Sequence, residues 1–398
     1  MKISKARYIR HCSSLFFLQA YPILPPLCKF LVIAKKSAPM TTTTRKELPP
    51  HDHVAWEQLD HEFGKLLAQI PRTGPQPAHL NGRRWHFENE LVPQARAIQI
   101  QFFLPKDEEY EIRDFSIPVD GYDIAIRGIV PVTNDDSDEP FPLMVWIFGA
   151  GGVSGSYDID DLYLRRNAVD TKVSVVMMNY RLAPENPFPT GLNDCYNALK
   201  WIAEHTSLFS ASIDRGFIMT GMCFGANLAT ALAFRARDDP FFEGRRPTGL
   251  GLQAPLLLHP ELCPEKYESE LKSRVTHKTA RLMNMERLAK LATLYGAPLE
   301  HPEFSIILNE DYTNLPPTYV QVCGADPLRD EGRLLIKLLN QSGVETKIDE
   351  YPGLPHAGNR FFPEAQISKD WHNDWEEGIQ WLVKLARPEE NKTSDESL

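Results

Sequence analysis

The sequence predicts an α/β protein with a mostly parallel central sheet and helices on both faces. Three short apolar runs, residues 143–148, 173–178 and 216–220, are typical of buried parallel strands. Between two of these runs, apolar residues recur at helical spacing: Leu192, Cys195, Leu199 and Ile202. The third run leads through a glycine-rich turn into a small-residue helical stretch. Strand and helix therefore alternate, which favours a parallel sheet.

The other elements follow in chain order. Residues 50–110 are mixed and lean towards helix, and two alternating runs within 112–130 predict an antiparallel strand pair. Residues 249–258, 318–323 and 346–351 are expected to be further strands, and 334–339 a helix. An insertion at 259–316 contains helical runs such as 285–295. The final amphipathic helix is marked by Trp371, Trp375, Ile379, Leu382 and Leu385.

Three segments make up the expected domain organisation. Residues 50–388 form one domain. Residues 389–398 are a polar tail expected to be disordered. Residues 1–49 are an N-terminal extension, either disordered or preceding the native start. The run from residue 15 to 34 is apolar but broken by prolines, and its basic flank is like that of a signal or transit peptide. Met40 with the threonines after it looks like a cytosolic start, so we expect a cytoplasmic protein and keep a targeting segment as the alternative.

Composition narrows the class of partner. The chain has 398 residues, 42% of them hydrophobic, and a net charge of −10. The first 39 residues hold seven basic residues and no acid, which leaves −17 for the remainder. Such an acidic body argues against nucleic acid as a partner, because phosphate binding needs basic surface. We expect a small-molecule substrate and no membrane, and the composition leaves the oligomeric state open.

The six cysteines show no CxxC motif and no Cys/His ligand spacing. We therefore expect no metal, no disulfide framework and no cofactor, which fits a reducing compartment.

The motif at residues 221–225 is Gly-Met-Cys-Phe-Gly. A G-x-S-x-G sequence between a strand and a helix forms a nucleophile elbow, in which a sharp turn presents the central side chain above the sheet. Cys223 takes the central position here, at a helix N-terminus that favours a thiolate.

Around this elbow the chain resembles the hormone-sensitive-lipase-like branch of the α/β-hydrolases. Residues 179–189 read NYRLAPENPFP, 225–229 GANLA, 324–331 GADPLRDE and 351–356 YPGLPH, all in the family's order. The resemblance covers roughly residues 113–385 and implies an α/β-hydrolase fold with a helical cap over the active site. The cap segments are expected near 50–110 and 259–316. It also implies an acid at Asp326 and a base at His356.

Two departures from the family pattern stand out. The elbow carries Cys223 for serine and Met222 for the usual aspartate, and residues 148–152 read FGAGG where the family has H-G-G-G-aromatic. Backbone N–H groups form an oxyanion hole, so Ala150, Gly151 and Phe224 remain candidate donors. Ala150 and Phe224 are expected to narrow the site, and Phe148 replaces the imidazole that orders this loop in the family. The alternative interpretation is drift in a loop that no longer stabilises an oxyanion.

The chain order Cys223, Asp326, His356 is the one expected for a triad on this fold. The alternative for Cys223 is a small buried residue in a dead site, but such a site would be free to lose His356 and Asp326. For Asp326 the alternative is a helix N-cap, and Asp330 is the nearer candidate for that role.

The nucleophile limits the substrate. A thiol has a pKa of ~8.5, whereas a simple alkoxide is about as basic as hydroxide. The tetrahedral intermediate would therefore expel the thiolate before it expelled an alkoxide. We therefore expect an activated ester, lactone or thioester, of a kind met in secondary metabolism, and an acyl-enzyme. Dienelactone hydrolases are similar in using Cys-His-Asp on this type of sheet. A lyase, cyclase or dehydratase using the same pocket, and a ligand-binding protein on a dead scaffold, are the alternatives.

Overall fold

The computed structural model describes residues 63–65, 80–133 and 139–387. The expected N-terminal extension at 1–49 and the tail at 389–398 lie outside these residues. Much of the first expected cap segment, 50–110, lies outside them as well.

Within the described part of the chain, eight strands form one sheet in the order β1-β2-β4-β3-β5-β6-β7-β8. The first two strands form an antiparallel hairpin, and β2 also pairs antiparallel with β4. All other neighbours are parallel. The strands are β1 (Tyr110–Val119), β2 (Tyr122–Pro131), β3 (Leu143–Ile147), β4 (Ser174–Met178), β5 (Phe217–Met222), β6 (Gly249–Gln253), β7 (Thr318–Ala325) and β8 (Thr346–Pro355).

Helices cover the sheet and its carboxyl edge. They are α1 (Leu80–His86), α2 (Val92–Phe103), α3 (Asp161–Thr171), α4 (Thr190–Glu204), α5 (Phe224–Asp238), α6 (Ser273–Thr276), α7 (Met285–Tyr295), α8 (Arg329–Gln341), α9 (Gly358–Phe361) and α10 (Gln366–Leu385). A π-helical turn, Phe87–Leu91, joins α1 to α2. The α/β fold class and its mostly parallel sheet are confirmed.

The central strands are buried along their whole length, which explains their continuous apolar sequences. Every residue of β3, β4, β5, β6 and β7 is buried. On one face, Trp375 and Ile379 of α10 lie directly over Gly251 in β6, where a Cβ atom would come within 2.9 Å of the tryptophan ring. A parallel sheet covered by helices leaves its carboxyl edge as the place for a ligand.

One strand prediction was too long. Residues 249–258 were expected to be a strand, but β6 ends at Gln253. Beyond it, the N–H groups of Leu257 and Leu258 donate to the Glu331 carboxylate, at 2.6 and 2.9 Å, instead of to a neighbouring strand. Arg274 pairs with the same carboxylate at 2.9 Å. A buried ion pair therefore replaces the sheet ladder there.

No helix in the described ranges is long and apolar enough to cross a membrane.

Candidate active site

Cys223 lies between β5 and α5 in a strained backbone conformation. Its φ and ψ are 56° and −117°, in a region that residues other than glycine rarely occupy. Backbone hydrogen bonds hold this conformation: the Cys223 N–H donates to Gln253 O at 2.8 Å, and Cys223 O accepts from Leu256 N at 3.2 Å. The chain therefore forms the sharp strand-to-helix turn that the motif predicts.

Two glycines allow this turn because the backbones approach closely. A Cβ atom on Gly225 would lie 2.0 Å from Ile147 O, and one on Gly221 would lie 2.4 Å from the Gly225 carbonyl carbon. No side chain fits at either distance. The glycines of the motif thus set how closely α5 packs on β3 and β5.

The carboxylate and the imidazole meet at the carboxyl edge of the sheet. Asp326 directly follows β7 and His356 directly follows β8. The His356 Nδ1 lies 2.6 Å from Asp326 Oδ2, and Asp326 Oδ1 accepts from Leu328 N at 3.0 Å. Asp326 is fully buried and His356 is 4% exposed. The carboxylate is fixed by the backbone on one side and orients the imidazole on the other.

The protonation of His356 reflects its two partners. Burial lowers its pKa, but the charges of Asp326 and Cys223 and its interactions with both side chains outweigh burial and raise it to about 10. Because Nδ1 faces the carboxylate, the other ring nitrogen is left for the thiol. The structure thus hydrogen-bonds His356 to Asp326 and couples its charge to Cys223, which is 6% exposed.

Residues 148–155, which we call the oxyanion loop after their predicted role, pack against the elbow. A Cβ atom on Gly149 would lie 3.3 Å from the Cys223 Cβ. Ala150, Gly151 and Gly152 have φ values of 62°, 72° and 69°, three consecutive residues in the left-handed region. Phe224 is the first residue of α5, so its N–H has no acceptor within the helix. The three candidate donors, Ala150, Gly151 and Phe224, therefore lie on the elbow and on the loop that packs against it.

A tyrosine holds the start of this loop. The rings of Phe148 and Tyr180 stack with centroids 4.4 Å apart at 15°. The Tyr180 hydroxyl donates to Phe148 O at 3.1 Å and to Gly149 O at 3.3 Å. Burial raises the pKa of Tyr180 well above its usual value, so the hydroxyl keeps its proton and remains a donor. Although Phe148 lacks an imidazole, the loop is still anchored.

Helix α7 covers the other side of the loop. Leu291 packs on Gly151, where a Cβ atom would come within 2.9 Å of the leucine side chain. Tyr295 packs edge-to-face on Phe224 with centroids 4.7 Å apart. Two large side chains of α7 therefore pack directly on the candidate oxyanion donors Gly151 and Phe224.

Asp326 and, nearer to it, Asp330 were the candidates for the N-cap of the helix containing Leu334, but Leu328 takes that position. Helix α8 begins at Arg329, so Asp330 lies in its first turn. Its carboxylate pairs with Arg329 at 2.8 Å and accepts from Ser273 N at 2.6 Å.

Among the described residues, no group of three or more His, Cys, Asp or Glu side chains is arranged to hold a metal ion.

A family model described as an α/β-hydrolase fold matches residues 144–359, which include the elbow, the acid and the histidine. The chain belongs to the α/β-hydrolase family, in its hormone-sensitive-lipase-like branch. An AB hydrolase superfamily protein of Schizosaccharomyces pombe is 30% identical over 84% of this chain and 99% of its own length. A versiconal hemiacetal acetate esterase of Dothistroma septosporum is 32% identical over 62% of this chain and 75% of its own.

Solved structures of other α/β-hydrolases superpose on most of the chain. A vibralactone cyclase matches with a TM-score of 0.79 at 33% identity, over 83% of this chain and 97% of the cyclase. A Pyrobaculum calidifontis esterase matches with a TM-score of 0.70 at 26% identity, over 82% of this chain and 99% of the esterase. Its esterase relatives support ester hydrolysis as the general activity of this α/β-hydrolase.

Sequence reasoning missed the residues that support the hydrolase's oxyanion loop. Tyr180 lies inside the YRLAPE segment, which marked the family but gave no hint of a contact with Phe148. Leu291 and Tyr295 lie in the predicted 285–295 helix, whose apolar spacing is equally typical of a core helix. Only the three-dimensional placement of these residues reveals their role.

Proposed function

We propose that this α/β-hydrolase transfers acyl groups through a Cys223 thioester. The observation that carries the proposal is the His356 imidazole, which lies 2.6 Å from the Asp326 carboxylate and whose raised pKa reflects the charges of both Asp326 and Cys223. The substrate class is a small activated ester, lactone or thioester.

In the first step His356 takes the proton of the Cys223 thiol, the sulfur attacks the acyl carbon, and the carbonyl electrons move onto oxygen. Backbone N–H groups of Gly151 and Phe224, with Ala150, stabilise that negative charge. The tetrahedral intermediate then expels the leaving group, which takes a proton from His356. Asp326 holds the imidazole in the orientation that both proton transfers require.

In the second step a nucleophile releases the acyl group. His356 takes a proton from water, the hydroxide attacks the thioester carbon, and the Cys223 thiolate leaves. Thiolate is a better leaving group than an alkoxide, so this step is easy once water reaches the thioester. The activated leaving group is needed only in acylation, because there it must compete with the thiolate.

A second candidate function is cyclisation, in which a hydroxyl of the acyl group itself replaces water. The likeness to a vibralactone cyclase, at 33% identity and a TM-score of 0.79, favours this alternative over other non-hydrolytic chemistry. The versiconal hemiacetal acetate esterase favours hydrolysis and a substrate of secondary metabolism. Both functions share the acylation of Cys223.

The shared step is tested by incubating the protein with 4-nitrophenyl acetate and measuring the mass of the intact chain by mass spectrometry. We expect release of 4-nitrophenolate in a burst and one acetyl group on Cys223, located by peptide mapping. Cys223→Ala abolishes both signals, while Cys263→Ala, which removes an exposed cysteine, changes neither. Iodoacetamide is expected to alkylate Cys223 faster than Cys263 below pH 8, although Cys263 is the more exposed of the two.

The triad acts as one unit in this proposal. His356→Ala is expected to nearly abolish acylation, and Asp326→Asn to reduce it in part, because a thiolate needs less help from an oriented base than a hydroxyl does. The double variant is expected to be little worse than His356→Ala, since members of one unit are non-additive. Full acylation in His356→Ala would contradict the triad and move the weight to the ligand-binding alternative.

A further inference from the structure

We propose that Arg84, on helix α1 of the cap, is a positioning residue for the oxyanion loop; this inference rests on the proposed acyl transfer. Its guanidinium donates from Nε to Val153 O at 2.5 Å and from Nη2 to Ala183 O. Nη1 pairs with Glu185 at 2.7 Å. Val153 belongs to the oxyanion loop, and the other two residues belong to the YRLAPE segment.

The guanidinium joins two loops that already touch each other. Ala183 N donates to Gly152 O at 2.9 Å, so the oxyanion loop and the YRLAPE segment share a backbone hydrogen bond at this point. Arg84 spans the same junction from outside and saturates a carbonyl on each side. A planar fork of donors makes this bridge, which a lysine ammonium with its single nitrogen does not reproduce.

The rest of the cap touches the same loop. The Glu88 carboxylate lies 3.5 Å from Gly155 N, and the Phe87 ring lies 3.4 Å from where a Gly155 Cβ would stand. Three residues of the first cap helices thus contact the last residues of the loop. Tyr180 holds its first residues, so the loop is anchored at both ends.

The loop needs such anchors because its centre is strained. Ala150 to Gly152 lie in the left-handed region, and Ala150 carries a Cβ there that glycine would not. The N–H groups act on the developing charge only if they are fixed before the reaction. A displacement of about 1 Å at a catalytic group costs up to ~10²-fold in rate. We therefore expect Arg84 to act on acylation and not on the thiol itself.

The test compares two reactions of Cys223 in the full-length protein. Acylation by 4-nitrophenyl acetate passes through an oxyanion, whereas alkylation by iodoacetamide displaces iodide at a saturated carbon and does not. In Arg84→Ala, acylation is expected to fall by about 10- to 100-fold, and alkylation to stay within about twofold of wild type. Arg84→Lys is expected to recover only part of the loss.

Arg96→Ala is the matched control. Arg96 also reaches from the cap to the body, but it donates to Asp158 O at 2.6 Å and to the Asp161 carboxylate at 3.4 Å instead of to the oxyanion loop. It is expected to leave both reactions unchanged. Equal losses of acylation and alkylation in Arg84→Ala would mean a general structural role and would overturn the proposal.

A second measurement distinguishes failure of this inference from failure of the proposed function. Hydrogen exchange followed by mass spectrometry is expected to show faster exchange of peptides covering 149–155 in Arg84→Ala but not in Arg96→Ala. If the wild-type protein forms no acetyl adduct, the proposed function fails while exchange still decides the role of Arg84. Unchanged exchange in this loop would overturn the inference.

Discussion

Removing the Tyr180 hydroxyl is expected to slow the acylation of Cys223 while the protein stays folded. Tyr180→Phe keeps the ring that stacks on Phe148 at 4.4 Å, and deletes the donor to Phe148 O and Gly149 O. The change is therefore confined to one proton and one oxygen, next to the residue that begins the loop.

The stability cost follows from the hydrogen bond. Such a bond contributes about 0.5–1.5 kcal/mol net, and the buried carbonyls left behind move the loss towards the upper end of this range. The retained stack, about 0.5–1.5 kcal/mol beyond its buried area, is not lost. We expect Tyr180→Phe to lower the free energy of unfolding by about 1–2 kcal/mol. For a domain of this size, that lowers Tm by a few degrees.

The same substitution is also expected to slow catalysis. Acylation of Cys223 by 4-nitrophenyl acetate is expected to fall by about tenfold, because Gly149 and Ala150 lose the contact that sets their direction. Acylation is followed by 4-nitrophenolate release, and stability by thermal melting monitored with circular dichroism.

Tyr312→Phe is the control for this prediction. The Tyr312 hydroxyl also donates to a backbone carbonyl in a buried place, Ile306 O at 2.8 Å, and the Tyr312 ring packs edge-to-face on Phe234. It is expected to cost similar stability and no acylation. If Tyr180→Phe and Tyr312→Phe both acylate like wild type, the Tyr180 hydroxyl does not position the oxyanion loop.

Two further predictions concern the triad. Cys223→Ser is expected to turn over short-chain aryl esters far more slowly than the ~1–10³ s⁻¹ of ordinary enzymes, because the oxyanion loop remains altered. Turnover within that range would show that the changes in the loop are neutral. The pKa of His356 is raised from 6.5 to about 10, so its pairing with Asp326 stabilises the fold fully below pH 6.5, and the contribution is lost as pH rises through 10. In urea unfolding, the stability difference between wild type and Asp326→Asn is therefore expected to shrink from pH 6 to pH 9.5, and a constant difference would contradict that pairing.

The sheet was predictable because its strands are buried on both faces. Wholly buried strands have continuous apolar sequences, and residues 143–148, 173–178 and 216–220 identified β3, β4 and β5 to within a residue or two. The end of β6 was not predictable, because Glu331, more than 70 residues away, takes the N–H groups that a strand would have used.

The proposed nucleophile, acid and base were predictable for a different reason. Cys223, Asp326 and His356 each follow a strand directly, and the chain order of such residues is a property of the fold. The loop anchors were not predictable, because Arg84 and Tyr180 act through backbone carbonyls. A carbonyl is present at every residue, so no pattern in the sequence marks which ones a guanidinium or a hydroxyl will reach.

The fate of the acyl group separates the two candidate functions, and it depends on access of water to a buried thioester. Cys223 is 6% exposed and His356 4%. An acyl group without a hydroxyl has only water as its nucleophile, so hydrolysis in H₂¹⁸O is expected to place one ¹⁸O in the released acid. An acyl group that carries its own hydroxyl holds a nucleophile inside the site, and its lactone would contain no ¹⁸O. We therefore expect 4-nitrophenyl acetate to give labelled acetate. The second substrate is the 4-nitrophenyl ester of a hydroxy acid. If this ester gives only labelled acid, cyclisation is contradicted. If it gives unlabelled lactone with the wild-type protein but not with Cys223→Ala, cyclisation is favoured.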